Sequence, residues 1–408
     1  MTKRISFIHA ADLHLDSPFK GLANTPEHIF KEIRESTFRA LERLVQTAID
    51  KRVDFVLIVG DLFDNEKQSL KAQIRLKKAF EELQRHHINV YLSYGNHDYI
   101  NGNIHPVTYP NNVFIFPDEK VRQFTYEKGG ERLATIHGFS YENRAVVHKK
   151  AQDYQISDET IPFHIAMLHG SLKSNTTHDV YAPFQISDLL EEDFNYWALG
   201  HIHQREILKE DPAIVYPGNI QGRNRKEIGE KGCYHVGVTE TGTEISFIPL
   251  QAIQFNMLNV DVSACVTVDQ LESCIQAMLE PMYGGIPQLL DLTLVSDTLK
   301  LKQWENDHHV EDIVELVNET IAHKQIWSYI FRYTTQTRVS ERDVELFKGD
   351  HFIGELSRHF EKTSIQPFVK ELYHHKSARK YLDILTKEEE QHIKAEARSL
   401  LLNELLKE

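Results

Sequence analysis

Cysteine is scarce in this chain. There are three, Cys233, Cys265 and Cys274, in 408 residues. The number is odd and no two have C-x-x-C spacing, which argues against a disulfide framework and a cysteine-ligated zinc site; a reducing, cytoplasmic setting is the expectation. Long apolar runs are missing too. No stretch approaches the roughly 20 residues of a membrane span, so no membrane association is expected. The start, Met1 to Ile8, is basic at Lys3 and Arg4 but has no extended apolar region before Asp12, and is read as no signal peptide. Positive charge is in deficit: 46 Lys and Arg face 60 Asp and Glu, a net −14. General attraction to nucleic acid is therefore disfavoured, whereas a local basic groove or a metal-centred phosphate site stays open. Internal repeats and low-complexity segments are also lacking. What remains is an ordinary globular balance, 41% hydrophobic and 26% charged, long enough for two or three domains.

The first half alternates two periodicities. Ile5 to His9, Phe55 to Val59 and Val90 to Tyr94 are apolar runs of strand length. Between them, Phe30, Ile33, Phe38, Leu41, Val45, Ala48 and Ile49 recur at helical spacing, and a second helix is predicted from about Ser69 to His86. That order implies parallel strands with helical crossovers. Further strands are predicted over 113–116, 132–137, 164–168, 196–199, 233–238 and 244–249, the last two joined by a hairpin at Glu240 to Thr243. The expected fold class is α/β, with a core of two sheets flanked by helices over residues 1–250. A separate strand-helix alternation follows, a small α/β domain over 251–338. Residues 339–408 read as a charged helical tail in which Ile393, Ala397, Leu401 and Leu405 make an apolar stripe.

Five short motifs stand at the ends of strand-like runs: Asp12-Leu13-His14, Gly60-Asp61-Leu62-Phe63-Asp64, Gly95-Asn96-His97-Asp98, His169-Gly170 and Gly200-His201-Ile202-His203. Each alone is weak, since Gly, Asn and Asp favour turns in any case. In order, they supply Asp, Asn and His in the number that two neighbouring divalent ions require, which points to metal-assisted phosphoester hydrolysis. Ligand sites in α/β sheets gather at the carboxyl ends of strands, so the five can meet. In extended chain, residues i and i+2 face one side, which would let Asp12 act with His14 and His201 with His203. Asp61 is the natural bridging carboxylate. His97, beside Asn96, is placed to protonate a leaving oxygen or hold the phosphate.

This set resembles the calcineurin-like metallophosphoesterase superfamily over roughly residues 1–250. Within it the chain is similar to the SbcD-like DNA-repair exonuclease family, with the length and tail of its YhaO type. The resemblance implies that Asp12, His14, Asp61 and His203 bind one metal, and that Asp61, Asn96, His169 and His201 bind the other. It implies His97 as catalytic histidine oriented by Asp64, and two divalent ions, usually Mn²⁺, with Fe, Zn or Mg as alternatives. It further implies DNA as substrate and an SMC-like (SbcC-type) ATPase as partner, and leaves a homodimer open. Departures narrow the choice. Asn65-Glu66 follow Asp64 where protein phosphatases carry Arg-Gly, and the second motif lacks the tyrosine ligand of purple acid phosphatases.

Beyond the motifs, Arg223, Arg225 and Lys226 follow the last ligands in a glycine-containing segment and are candidate phosphate or nucleic-acid contacts. Arg144 to Lys150 is a second basic cluster. The expected activity is a Mn²⁺-dependent DNA nuclease, with the domain after 250 shaping access for DNA and the tail docking the ATPase. The alternatives are a phosphodiesterase or phosphatase for nucleotides or other small phosphoesters, and a non-catalytic scaffold for an ATPase.

Overall fold

The computed structural model describes residues 3–338 apart from 23–24, 65–67, 103–106, 174–180, 281–284 and 299, and beyond 338 only isolated positions. It begins with β1 (Arg4–Ala11), α1 (Glu27–Lys51), β2 (Phe55–Val59), α2 (Leu70–Arg85), β3 (Asn89–Ser93) and β4 (Val113–Ile115). All of β2 is buried, as expected of a parallel strand covered on both faces. Helix α1 buries Ile29, Ile33, Thr37, Leu41, Leu44 and Ala48 at three- and four-residue spacing. It stops at Arg52, whose left-handed φ of 51° turns its N–H onto the last carbonyls. Helix α2 is capped by Ser69, whose hydroxyl accepts from Ala72 N at 3.1 Å.

Next come β5 (Arg122–Lys128), β6 (Glu131–Gly138), β7 (Phe163–His169), β8 (Tyr196–Gly200), β9 (Glu206–Glu210), β10 (Ala213–Tyr216), β11 (Gly232–Thr239) and β12 (Gly242–Pro249). Two six-stranded mixed sheets result, ordered β12-β11-β1-β2-β3-β4 and β5-β6-β7-β8-β10-β9. Strands β1 to β4 are mutually parallel, as are β6, β7, β8 and β10. Alternation along the strands builds the layers. Phe7, Phe55, Leu57 and Val59 join Ile136, Ile165, Met167 and Tyr196 in the core between the sheets. The intervening Ile8, Val56 and Ile58 pack with Leu41, Leu44, Leu76 and Phe80 of the helices. Each such side chain contributes roughly 1.5–3 kcal/mol on burial. The outer face of the second sheet is covered by residues around Tyr141, Tyr154, Phe184, Leu189 and Phe194.

Strands β5, β9 and β10 were not foreseen. Strand β5 buries only Tyr126 and β9 buries nothing fully; both are charged strands at the sheet's edges, where apolar periodicity is weakest.

A third sheet, β13-β14-β15, consists of β13 (Gln254–Asp261), β14 (Gln288–Ser296) and β15 (Ser328–Thr337), with α3 (Val268–Leu279), α4 (Lys300–Asn306) and α5 (His309–Ile321) between its strands. By compactness, one unit holds 1–258, 282–292 and 318–332; the other holds 259–281, 293–317 and 333–408. Within the first unit, Phe19, Ile29 and Ile33 share a core with Phe255, Leu289 and Trp327. In the tail stripe, Ile393 and Ala397 are helical and exposed, while Leu401 and Leu405 lie outside the described residues. Among the described residues, no helix is long and apolar enough to cross a membrane.

Candidate metal centre

Three of the five motifs leave their strands through left-handed backbone. Asp12, His14, Asp61 and His201 all have positive φ, at 52°, 41°, 53° and 93°. For non-glycine residues this costs about 1–2 kcal/mol each, and such strain gathers at functional sites. Asp12 and His14 are therefore not in extended chain; they reach one cluster through left-handed turns. The first two motifs are zipped together, with Asp12 N donating to Gly60 O at 3.2 Å and His14 N to Asp61 O at 3.0 Å. Two glycines have no alternative. A Cβ on Gly60 would lie 2.3 Å from His169 Nδ1, and one on Gly95 would lie 2.3 Å from Asp61 Oδ1.

Two groups of donor atoms converge: Asp12, His14 and His203 in one, Asp61, His169 and His201 in the other. In the first, His14 Nε2 is 3.0 Å from His203 Nε2, which is 3.9 Å from Asp12 Oδ1. In the second, His169 Nε2 and His201 Nδ1 lie 3.0 and 3.1 Å from Asn96 Oδ1, bringing Asn96 into the set. Asp61 joins the two. Its Oδ2 is 3.8 Å from His14 Nε2 and 3.5 Å from His169 Nε2, while its Oδ1 accepts from His97 N at 2.9 Å. His201 and His203 thus serve different clusters, in the division that the resemblance implies.

The ring tautomers suit metal ligation. His169 Nδ1 is 3.0 Å from Val59 O, and a carbonyl only accepts, so Nδ1 carries the hydrogen and Nε2 points its lone pair inward. His203 Nδ1 donates in the same way to Glu227 Oε1 at 2.9 Å. Glu227 is itself fixed by Asn219 Nδ2 at 2.7 Å and Arg223 N at 2.8 Å. Ring nitrogens and carboxylate oxygens facing one another while buried is a donor set that divalent cations fit, and this is the chemistry of a dinuclear site. His97 Nδ1 is 2.9 Å from the backbone carbonyl of Asp64, so Asp64 meets His97 through its main chain. The Asp64 carboxylate instead pairs closely with Arg223 and lies 3.6 Å from His14 Nδ1.

Charge couples the acids to the rings, and the proton that Asp61 favours on His169 Nε2 is one that a cation bound there would displace. Burial would raise Asp61, but the positive charge of His169 holds it well below the usual carboxylate range. Burial would lower His169, yet Asp61 drives it up to about 9. Burial raises Asp12 against the pull of His203 and His169. Burial and the Arg223 charge push His14 well below the ordinary imidazole value. Asp98 rises to about 7 through burial and the nearby Asp61. It accepts from Leu62 N at 2.6 Å and Gly95 N at 2.7 Å, tying the second motif to the third.

Sequence reasoning gave Glu227 and Asp98 no role. Asp98 could have been found, since it ends the Gly-Asn-His-Asp motif; Glu227 lies 24 residues beyond its histidine with no local signature. Of the candidate phosphate contacts, Arg223 adjoins Asp64, Arg225 lies 3.7 Å from Asp291, and Lys226 is exposed. In the second basic cluster, Lys149 and Lys150 pair with Asp188 and Asp153 at 3.1 and 3.4 Å.

Fold and site together define a metallophosphoesterase, a hydrolase of phosphoester bonds. The calcineurin-like phosphoesterase family matches residues 5–205. A protein of Bacillus subtilis (strain 168) described as "Uncharacterized metallophosphoesterase YhaO" is 36% identical over 407 residues, 99% of each chain. Two proteins called "DNA double-strand break repair protein Mre11" are more distant. That of Aeropyrum pernix is 28% identical over 240 residues, 55% of this chain and 56% of its own. That of Methanococcus maripaludis is 25% identical over 390 residues, 86% of this chain and 100% of its own. This chain belongs to the calcineurin-like phosphoesterase family.

Proposed function

We propose that this protein is a Mn²⁺-dependent DNA nuclease. The hydrolase reading rests above all on Asp61, one carboxylate oxygen of which reaches a ring nitrogen of each cluster. DNA is favoured as substrate because a distant relative, matched over 86% of this chain and all of its own, carries double-strand break repair in its name. Asp12, His14, Asp61 and His203 would hold one ion, and Asp61, Asn96, His169 and His201 the other. Bound there, divalent ions supply Lewis-acid polarisation and neutralise phosphate charge. His97, with Nδ1 engaged by the Asp64 carbonyl, presents Nε2 to deliver a proton to the leaving oxygen. The decisive assay compares Mn²⁺-dependent cleavage of linear DNA with hydrolysis of a small chromogenic phosphodiester, for wild type and Asp61→Ala. DNA cleavage lost in the variant together with bound metal supports the reading. Turnover of the small ester alone by wild type would shift it to a small-molecule phosphodiesterase, and unchanged metal content in Asp61→Ala would sink the bridge.

Residues 251–338 we assign to DNA selection and 339–408 to docking an SMC-like ATPase in the cytoplasm. The docking assignment draws on the apolar tail stripe. Truncation after Thr386 should spare metal-dependent hydrolysis and abolish co-purification with such an ATPase; retained co-purification rejects it.

A further inference from the structure

Outside the metal centre, two arginines meet on one acid. Arg332 of β15 places Nη1 3.1 and 3.0 Å from the two carboxylate oxygens of Asp291 on β14. Arg225, from the segment joining β10 to β11, places its Nη1 3.7 Å from the same carboxylate. The Asp291 side chain is 4% exposed, whereas those of Arg225 and Arg332 are 50% and 42% exposed. The acid is buried and the cations stand half in solvent.

We propose that Arg225 and Arg332 form a clamp for a backbone phosphate of DNA, held in register by Asp291; this rests on the nuclease reading above. Two guanidinium groups left alone would repel. One buried carboxylate between them compensates one charge and leaves a net +1 on this trio. Each arginine uses a single terminal nitrogen on Asp291. A guanidinium has five donors in a rigid fork, so the donors not turned to Asp291 retain the planar geometry that matches phosphate.

Position ties the clamp to the site. Arg225 lies midway between Arg223, which pairs with Asp64, and Glu227, which holds His203. Two residues span at most about 7 Å of chain, the axial rise of about two phosphates on one strand. In a protein of net charge −14, such a local cationic pair gives a phosphodiester backbone somewhere to bind.

The test measures binding of a short fluorescent DNA duplex by the full chain across a salt series. The proteins are wild type, Arg225→Gln, Arg332→Gln and a control, Arg122→Gln, which removes a half-exposed arginine of β5 that pairs with Asp118. Arg225→Gln and Arg332→Gln should each weaken binding by about tenfold and flatten the salt slope by about 1. Since Arg332→Gln leaves Asp291 short of a partner, Arg332→Gln combined with Asp291→Asn is included, with thermal melting followed throughout. The combined variant keeps the trio at +1, so it should recover the wild-type salt slope and melting transition while still binding more weakly than wild type for want of the Arg332 fork. Slopes and affinities equal to wild type, or an equal loss in Arg122→Gln, overturn the clamp. Wild type that cleaves DNA while the clamp variants bind normally rejects the clamp alone. Wild type that neither binds nor cleaves DNA rejects the nuclease reading with it.

Discussion

Glutamate 227 offers the sharpest test of how the metal centre is held. Its carboxylate accepts from His203 Nδ1, Asn219 Nδ2 and Arg223 N at 2.9, 2.7 and 2.8 Å. Burial alone would raise its pKa, yet the His203 bond and the Arg223 charge bring it down to about 2. Measured from 4.5, that corresponds to roughly 3 kcal/mol in favour of the ionised form. Glu227→Gln keeps the volume and removes the charge. It also turns one acceptor into a donor amid three donors, so one bond must break. A lost hydrogen bond to a charged group is worth about 1.5–3 kcal/mol, and removal of such supports for metal-bound histidines typically costs about 10–100-fold in metal affinity or activity. The expected outcome is therefore a 10–100-fold weaker Mn²⁺ affinity at the site containing His203, with the site containing His169 unaffected. Calorimetric Mn²⁺ titration resolves the two events, and thermal melting confirms the fold. Wild-type affinity at both sites would refute the argument, as would equal weakening of both.

His97→Ala should keep both metals by elemental analysis and lose about 10²–10⁴-fold in rate; loss of a metal would mean that the ring is a ligand. Gly95→Ala places a Cβ 2.3 Å from Asp61 Oδ1 and 2.8 Å from His169 Nε2, so the carboxylate must shift by about 1 Å. A drop of about 100-fold in hydrolysis is expected together with a lowered melting transition, because the Cβ would also lie 2.9 Å from the backbone N of Asp61; full activity would show that the site accommodates the methyl. The buried His137, pushed down to about 4 by burial and then by His164, links stability to pH. The unfolded chain takes up its proton below about 6.5 and the folded chain does not until about 4. This contribution, up to about 3 kcal/mol, is present above pH 6.5 and lost as pH falls towards 4. Urea unfolding across that window should give His137→Gln a slope shallower by up to about 1.4 kcal/mol per pH unit, and identical slopes would exclude the linkage.

Local chemistry made most of the sandwich readable in the chain. The run in β2 is apolar at every position, and those in β1 and β3 at most of theirs, because both faces are covered, while α1 and α2 keep a helical period because only one face is. The motif residues were readable for a similar reason: Gly60 and Gly95 are demanded by contacts to His169 and Asp61, and glycine beside Asp or Asn marks such places. Edge strands β5 and β9 escaped notice because burial there is too slight to impose a pattern. The tertiary structure alone decided which atoms face which. Asp64 meets His97 by its carbonyl and Arg223 by its carboxylate, a choice of backbone over side chain that no spacing reveals. The resemblance already implied that His201 and His203 serve different metals; the structure adds the means, His201 at φ 93°, where alternation along a strand no longer applies. Glu227 under His203, and Asp291 between Arg225 and Arg332, are meetings of side chains 24, 66 and 41 residues apart. Such pairs leave no periodic trace, since what brings them together is the packing of the sheets and not the preference of any single residue.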